Sequence, residues 1–540
     1  MVEPPNWGLD MTVVNRFAAD SSGNFAIFGA LLVIPLVLGA GVALDVATIA
    51  RTKTELQQAL DAAVLAVARE GKEVNDKQAV EIARNFVTNN YRLQFADLTV
   101  VHEGSGVRLD ASTKAPIAFG ALFGYEDWKV AVSSSADIAY VSYEIALVLD
   151  TTGSMAGGKL TALKDAVDGM IESMSAQVKD KNKLKFSLVP FAGFVNVGAE
   201  HGPKFDKDGV QIAGSGAPWL DLEGKSTIPQ SDLVPGISRF QISHHLGKPW
   251  KGCVETRPRS GGKDYDVADL PADPSKPDTL FVPAFAVDEG DGGGYFNSYI
   301  NSPEAPLSGN GKGAAVTRLK RYGIILPPNG GVVQIGLWQN VAADFGPSGY
   351  QGYNKGPDFG CATQALTPLT NDYGLVRARV KQLNAQGNTN IMEGVAWGHR
   401  VLTPGEPFSG ASDPKKNPAE KIMVVLTDGA NTLGNTNTPL GSLYSSFGYL
   451  VDGRLGMAAA SSSATNVAMN ERTIAACKYA KEYGITVYTI RLEEPDVKTG
   501  TMLQQCASSP AHYFDAPSRS QLDDVFKSIR ERIVRLRLSS

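Results

Sequence analysis

The hydrophobic pattern of this chain begins with an uncharged stretch. Phe25 to Leu44 are twenty residues without a charged side chain. About 20 apolar residues span the hydrocarbon core of a bilayer as a helix, and a proline within such a helix is tolerated. The stretch is too long, and lies too far from Met1, for the apolar region of a signal peptide. We therefore predict a short tail over 1–24 and one transmembrane helix over 25–49.

Beyond this stretch the helical spacing continues and then gives way to alternation. Thr52 to Glu70 is rich in alanine, with apolar residues at helical spacing, and Asp76 to Tyr91 predicts a second helix. Three later segments alternate apolar and polar residues as strands of a small sheet do: Leu98–His102, Val107–Ala111 and Trp128–Tyr140. Residues 50–141 are therefore predicted to form a small α+β module.

From residue 142 to residue 540, apolar strands alternate with helical segments. The predicted strands are Ile145–Leu149, Leu184–Phe191, Ile422–Thr427, Ile485–Ile490 and His512–Phe514. The predicted helices are Lys159–Met174, Asn371–Leu383, Met392–Leu402, Met469–Tyr483 and Ser520–Leu536. This alternation predicts an α/β fold with a doubly wound, mainly parallel sheet.

Two stretches interrupt the alternation. Residues from about 200 to 358 lack helical spacing and contain glycine-rich turns, so we expect a large insertion with some aromatic packing of its own. Residues 432–464 are rich in Ser, Gly and Asn, a composition that favours a disordered spacer over a recognition loop. The acidic run Asp288–Asp291 lacks the ligand spacing of an EF-hand and is expected to be a solvated turn.

Candidate chemistry lies where two apolar strands end on carboxylates. One strand ends on Asp150, and Thr152 and Ser154 follow in the pattern D-x-T-x-S; the other ends on Asp428. Thr389 stands at the start of a predicted helix. Ligands of open α/β sheets bind at the carboxyl ends of strands, and Mg²⁺ prefers oxygen ligands. These side chains predict a site for Mg²⁺, or for Mn²⁺ or Ca²⁺; ordinary turn residues at strand ends are the alternative.

Two enzyme interpretations compete for the same residues. Gly153–Lys159 matches G-x-x-x-x-G-K, but Leu160 stands where a P-loop needs Ser or Thr to hold Mg²⁺. Asp150–Ser154 also resembles the D-K-T-G-T of transporters phosphorylated on aspartate, but Thr151 replaces the lysine. The chain has no G-x-S-x-G and no H-E-x-x-H motif. We therefore predict a protein that is not an enzyme.

The five oxygen donors, in this order, resemble the metal-ion-dependent adhesion site (MIDAS) of von Willebrand factor A domains, with the usual D-x-S-x-S written as D-x-T-x-S. This resemblance implies a Rossmann-like A domain over 142–540. It also implies that Thr152, Ser154 and Thr389 contact the metal directly. By the same resemblance, Asp150 and Asp428 act largely through water, and an open sixth position accepts a carboxylate from a partner protein.

The order of segments at the amino terminus is similar to that of TadG-like Flp pilus-assembly proteins. The similarity rests on Ser22–Ile27, the apolar stretch and Arg51–Ala63, and continues in Trp250–Glu255, Leu366–Thr370, Thr389–Ile391, Trp397–Gly398 and Tyr513–Leu538. It implies a role in assembling or anchoring Flp-type pili. One departure is Phe28, which stands where type IV-like prepilins have glutamate, so we do not expect cleavage by a prepilin peptidase.

Cysteine usage and charge bear on location and partners. Four cysteines allow three pairings, and proximity in the predicted fold favours Cys477–Cys506 together with Cys253–Cys361; four free buried thiols are the alternative. Disulfides place most of the chain outside the cytoplasm, although the basic residues after the apolar stretch bias its orientation weakly the other way. The net charge of −5 has no concentrated basic region, so no nucleic-acid partner is expected.

These features together predict an exported Flp/Tad-type pilus assembly or anchoring protein. It is expected to cross the bacterial inner membrane once, with most of the chain in the periplasm or at the cell surface. Its partner is expected to be a protein that presents a carboxylate, from the pilus or the Tad secretion machinery. The alternative is a cytosolic-facing, metal-dependent A-domain cofactor of an ATPase complex, which reduced cysteines would favour.

Overall fold

The protein divides into two compact units, Met1–Tyr140 and Val141–Ser540. The computed structural model describes residues 24–70, 76–91, 95–103, 106–137, 142–178, 180–231, 233–257, 259–260, 263–290, 294–301, 319–324, 338–416 and 418–539. Of the predicted tail over 1–24, residues 1–23 lie outside this described part.

The first unit consists of a long helix, a short helix and a three-stranded antiparallel sheet. Its elements are α1 (Asn24–Glu70), α2 (Asp76–Asn90), β1 (Phe95–Glu103), β2 (Gly106–Pro116) and β3 (Asp127–Asp137), with the sheet in the order β1-β2-β3. Leu56, Leu60 and Val64 on one face of α1 are buried in the core of the unit, as helical spacing requires. The uncharged stretch and the alanine-rich segment thus form one helix, which is long and apolar enough to cross a membrane.

The second unit is built on a six-stranded sheet with helices between its strands. The six strands of this sheet are β4 (Tyr143–Asp150), β5 (Leu184–Phe191), β10 (Thr367–Thr370), β11 (Glu420–Thr427), β12 (Thr486–Leu492) and β13 (Tyr513–Ala516). Two further two-stranded sheets are formed by β6 (Val254–Glu255) with β9 (Val282–Pro283) and by β7 (Arg259–Ser260) with β8 (Lys263–Asp264). The helices of this unit are α3 (Gly158–Gln177), α4 (Arg239–His245), α5 (Tyr373–Gln382), α6 (Ile391–Val401), α7 (Ser462–Glu482), α8 (Val497–Cys506) and α9 (Leu522–Ser539).

The large sheet confirms the predicted doubly wound, mainly parallel α/β fold. Its strands lie in the order β10-β5-β4-β11-β12-β13, and every neighbouring pair is parallel except β10 with β5. Numbered along the chain within this sheet, the order is 3-2-1-4-5-6, that of a dinucleotide-binding fold. Alternate residues of β4 enter two cores: Ile145 packs with α3, α5 and α9, whereas Ala146 packs with α6, α7 and α8. Both faces of the sheet are therefore covered, which explains why its strands are apolar throughout.

The large insertion between β5 and β10 has a core of its own. Phe194, Phe285, Tyr299 and Tyr322 are among its buried residues, and α4 and the short strands β6 to β9 lie within it. Its aromatic packing agrees with the sequence expectation. The expectation that the acidic run forms a solvated turn is wrong for its first two residues. Asp288 and Glu289 are buried, and Arg321 donates a hydrogen bond to the Asp288 carboxylate.

The second insertion is packed, and the expectation of a disordered spacer is wrong. Leu440, Tyr444 and Tyr449 are all buried and belong to the same core as the large insertion. The Tyr444 hydroxyl donates a hydrogen bond to the Glu255 carboxylate, and the backbone N–H of Phe285 donates to that hydroxyl over 2.7 Å. The described parts of the two insertions therefore share one core.

Candidate metal site at the sheet switch point

The candidate site lies between the two central strands of the large sheet. β4 and β11 are parallel neighbours, with Leu149 opposite Leu426, so Asp150 and Asp428 stand side by side where these strands end. After β4 the chain continues to β5 on one side of this pair, whereas after β11 it continues to β12 on the other side. Doubly wound folds bind ligands in the crevice that such a change of direction leaves at the carboxyl ends of the strands.

The Asp150 carboxylate organises the loop that follows β4. Its Oδ1 accepts hydrogen bonds from the Thr152 backbone N–H over 2.8 Å and from Thr152 Oγ1 over 2.6 Å. Its Oδ2 accepts a hydrogen bond from Thr427 Oγ1 over 2.6 Å, which joins it to the last residue of β11. Thr151, by contrast, donates its hydroxyl to the Phe191 carbonyl over 3.0 Å and faces away from the crevice.

A second carboxylate closes the other side of the crevice. Ser154 Oγ donates a hydrogen bond to Asp428 Oδ1 over 2.6 Å, and it lies 3.0 Å from Thr152 Oγ1. The two hydroxyls form a hydrogen bond in which either can be the donor. Asp150, Thr152, Ser154 and Asp428 are therefore connected side chain to side chain across the crevice.

Thr389 joins the site through Gly429. A Cβ built on Gly429 would lie 3.5 Å from Ser154 Oγ and 3.5 Å from Thr389 Oγ1, so both hydroxyls border the space left by the missing side chain. Two backbone hydrogen bonds fix the loop before Thr389 against the β4 loop, from Gly153 N to the Gly387 carbonyl and from Gln386 N to the Thr151 carbonyl, each over 2.9 Å. The structure thus brings all five predicted donors to one crevice.

The charges of the site favour a bound cation. Burial, and after it the nearby Asp428 charge, raise the pKa of Asp150 to about 7, although hydrogen bonds from Thr152 and Thr427 lower it. The Lys159 ammonium donates a hydrogen bond to Asp428 Oδ2 over 2.6 Å. Lys159 therefore places one positive charge at the edge of the crevice, on the Asp428 carboxylate.

The donor chemistry fits a hard divalent ion. Carboxylate and hydroxyl oxygens are ligands of Mg²⁺ and related ions, which usually keep several waters. The described residues contain no group of three or more His, Cys, Asp and Glu side chains placed to hold a metal. An ion held by Asp150, Thr152, Ser154, Thr389 and Asp428 therefore depends on hydroxyls and water as well as on two carboxylates.

Three residues beside the predicted donors were not predicted to belong to the site: Thr427, Gly429 and Lys159. Thr427 supplies a hydrogen bond to Asp150, and Gly429 leaves the space between two hydroxyls; both flank Asp428 in the sequence. Lys159 belongs to the pattern that resembles a P-loop, and its ammonium contacts Asp428. It is the second residue of α3, and no local sequence pattern indicates this contact.

Both predicted disulfides are present and lie away from the crevice. Cys253 pairs with Cys361 and Cys477 with Cys506, at Cα–Cα distances of 5.8 and 5.1 Å. The first bond ties β6 to the end of the large insertion, and the second joins α7 to α8 on one face of the sheet.

Comparison with known proteins gives one sequence match. Residues 23–70 match the family model described as Flp pilus-assembly TadE/G-like, which confirms the similarity seen at the amino terminus. No curated protein matches the sequence.

Solved structures give matches of low similarity. The pilus adhesin SpaC from Lactobacillus rhamnosus GG is 12% identical with a TM-score of 0.30, over 81% of this chain and 34% of that chain. This chain therefore spans about a third of SpaC. The vWF domain of the type V pili tip protein Mfa5 from Porphyromonas gingivalis is 9% identical with a TM-score of 0.31, over 73% and 95% of the two chains. The adhesive tip pilin GBS104 from Group B Streptococcus agalactiae is 10% identical with a TM-score of 0.33, over 73% and 100%.

Proposed function

We propose that this protein is a non-enzymatic, membrane-anchored component of a Flp-type pilus system that binds a partner protein through a divalent cation at the strand-end crevice. The observation that carries the proposal is the hydrogen-bonded group of Asp150, Thr152, Ser154 and Asp428 where β4 and β11 end, with the Ser154 and Thr389 hydroxyls both beside Gly429. The match of residues 23–70 to the pilus-assembly model supports the pilus context.

The residues of the crevice have distinct tasks in this proposal. Asp150 holds the loop in place through Thr152 and Thr427, so the hydroxyl oxygens are oriented before any ligand arrives. A bound cation supplies positive charge that attracts a carboxylate of the partner protein. Ser154 is exposed whereas Asp150 and Thr152 are buried, so the partner approaches from the Ser154 side.

The membrane anchor is the first part of α1. Leu31, Val33, Leu36 and Val37 are exposed over more than half of their surface, so these apolar side chains have little protein cover among the described residues. A helix of this length and composition is stable in a bilayer, where apolar side chains contact lipid. We propose one membrane crossing by this helix.

Export to the periplasm or the cell surface is supported by the cysteines. All four are paired, and disulfides persist in oxidising compartments. The competing proposal, a cytosolic cofactor of an ATPase complex, is favoured by Arg51 and Lys53, which follow the apolar stretch and bias it toward a cytoplasmic carboxyl side. All four cysteines are buried, so thiols are alkylated in cells lysed directly into denaturant. The exported protein then gives no labelled cysteine, whereas the cytosolic one gives four.

Metal-dependent recovery of pilus components tests the main proposal. The full-length protein is purified in detergent from cells that make the pilus, with Mg²⁺ or with EDTA, and bound proteins are identified by mass spectrometry. We expect pilus or Tad components with Mg²⁺ only, and their loss in Asp428→Asn. Asp165→Asn, an exposed aspartate on α3, is the matched control. Equal recovery with Mg²⁺ and EDTA would contradict the proposal.

A further inference from the structure

The connection between β2 and β3, together with the start of β3, has a high concentration of large exposed apolar and aromatic side chains. Leu122, Phe123, Tyr125 and Trp128 are 70%, 64%, 62% and 53% exposed. A small soluble module buries side chains of this size where it can, and a cluster of them on the surface marks an interaction site. We call residues 117–128 the apolar loop.

The apolar loop is ordered by its own hydrogen bonds. Leu122 N donates to the Phe119 carbonyl over 3.1 Å, Gly124 N to Ala121 over 3.1 Å, and Tyr125 N to Gly120 over 3.0 Å. The turn closes at Gly124, whose φ of 85° is costly for other residues. The exposed side chains are therefore presented by a closed turn.

Asp45 attaches this loop to the long helix α1. Its carboxylate accepts hydrogen bonds from three consecutive backbone N–H groups, those of Ala118 over 2.8 Å, Phe119 over 3.0 Å and Gly120 over 2.8 Å. Asp45 is the first charged residue after the uncharged stretch that begins at Phe25. The loop is thus fixed to α1 at the point where the apolar stretch ends.

A second contact reaches one turn further into the apolar stretch. The Phe119 ring lies against the backbone of Gly41, so closely that a Cβ on Gly41 would overlap the ring. Gly41 is buried, while Val42 and Leu44 beside it are exposed. At about 1.5 Å per residue, Gly41 lies about 6 Å before Asp45 along the helix axis, so the ring sits beside the last turn of the apolar stretch.

We propose that the apolar loop inserts into the surface of the bilayer that α1 crosses, as a second membrane contact of the first unit. This inference rests on the proposed membrane crossing. The continuity of the loop with the apolar stretch argues for lipid as its occupant, because Asp45 and Phe119 hold it where the hydrocarbon region ends. Tyr and Trp favour this interfacial depth, and Trp128 and Tyr125 are at the edge of the loop.

Charged groups complete the arrangement. Lys114 and Asp127 form an ion pair of 2.8 Å at the base of the loop, and Glu126 and Lys129 are exposed beside them. Residues 117–125 carry no charge. This order, apolar at the tip and charged at the base, matches the change from acyl chains to headgroups across the membrane surface.

Depth measurement on the full-length protein tests this inference. Because the native cysteines are paired, one introduced cysteine takes a nitroxide label specifically. We would place it by Leu122→Cys, by Tyr125→Cys as a second loop variant, by Val37→Cys within the apolar stretch and by Ser135→Cys on β3. All four positions are exposed, so labelling leaves the core intact. The protein is reconstituted in phosphatidylcholine and phosphatidylglycerol vesicles, and collisions with oxygen, which enters lipid, are compared with those of a water-soluble nickel chelate.

We expect labels at 37, 122 and 125 to collide mainly with oxygen, and the label at 135 to collide mainly with the nickel chelate. A lipid signal at 37 together with an aqueous signal at 122 and 125 would overturn the loop insertion and leave the membrane crossing intact. An aqueous signal at 37 would overturn both. Loop labels shielded from both reagents would indicate contact with a second copy of the chain and would also overturn the lipid assignment.

Discussion

The Lys159 ammonium lies 2.6 Å from Asp428 Oδ2, on the opposite side of that carboxylate from Ser154. Lys159 is partly buried, with 19% of its side chain exposed, and the Asp428 side chain is fully buried. The lysine therefore neutralises one of the two carboxylates of the crevice while the metal is absent. When a cation binds nearby, the same ammonium repels it.

Replacing Lys159 should strengthen metal binding. We expect Lys159→Gln to bind Mg²⁺ about five- to tenfold more tightly, equivalent to about 1 kcal/mol, because a partly screened like charge is removed. Isothermal titration measures the change. Lys164→Gln, on the same helix, is the matched control, because Lys164 contacts the Lys381 carbonyl and not the crevice. An equal gain in Mg²⁺ affinity in both variants would show that the gain comes from the net charge of the protein and not from the position of Lys159.

Filling the space beside Gly429 should remove metal binding without unfolding the protein. In Gly429→Ala the new methyl group meets Ser154 Oγ and Thr389 Oγ1 at 3.5 Å, an ordinary contact distance. We expect loss of measurable Mg²⁺ binding with a change in stability within about 0.5 kcal/mol, as for unstrained substitutions. Gly405→Ala, where a Cβ meets nothing within 4 Å, should bind as the wild type does. Normal Mg²⁺ affinity in Gly429→Ala would show that the cation does not bind in this space.

Glu393 should make stability depend on pH. This buried carboxyl accepts hydrogen bonds from Thr256 Oγ1 over 2.7 Å and Trp397 Nε1 over 3.1 Å. Burial, and after it the nearby Asp266 charge, raise its pKa to about 7. Because the pKa is higher in the folded state, the stabilisation is full below the unfolded value near 4.5 and is lost as pH rises through about 7.

The matched variant is Glu393→Gln, which keeps the shape of the side chain but does not ionise. In EDTA, we expect the wild type to lose more than about 1 kcal/mol of stability relative to this variant between pH 5 and pH 8. Thermal unfolding followed by circular dichroism measures the difference. Parallel pH curves for the two proteins would show that Glu393 stays at its ordinary pKa.

Sequence patterns were sufficient for the five parallel strands of the large sheet and for the donors, because both depend on local order. The antiparallel strand β10 and the helix α8 were not predicted. Asp150 and Asp428 end apolar strands, and parallel strands place their carboxyl ends together. The contact of Lys159 with Asp428 could not be predicted, because it depends on how α3 is oriented above the sheet.

The insertions were harder to predict because their partners are distant in sequence. Asp288 is buried because Arg321 pairs with it, and the two are separated by a stretch without periodicity. Tyr444 lies in a segment whose Ser, Gly and Asn content suggests disorder, yet its ring packs against Phe194 with centroids 5.3 Å apart. Composition describes such a segment by its average, whereas its fold depends on a few apolar residues that meet another segment.

Direct titration of the crevice tests the central claim most directly. The full-length, EDTA-treated protein in detergent is titrated with Mg²⁺ and Mn²⁺ by isothermal titration, beside Asp150→Asn, Asp428→Asn and the control Asp165→Asn. We predict saturable binding of one ion per chain in the wild type and in Asp165→Asn, and none in the other two variants, with all four proteins folded by circular dichroism. A folded wild type that binds neither ion, or binding that persists in both crevice variants, would contradict the account.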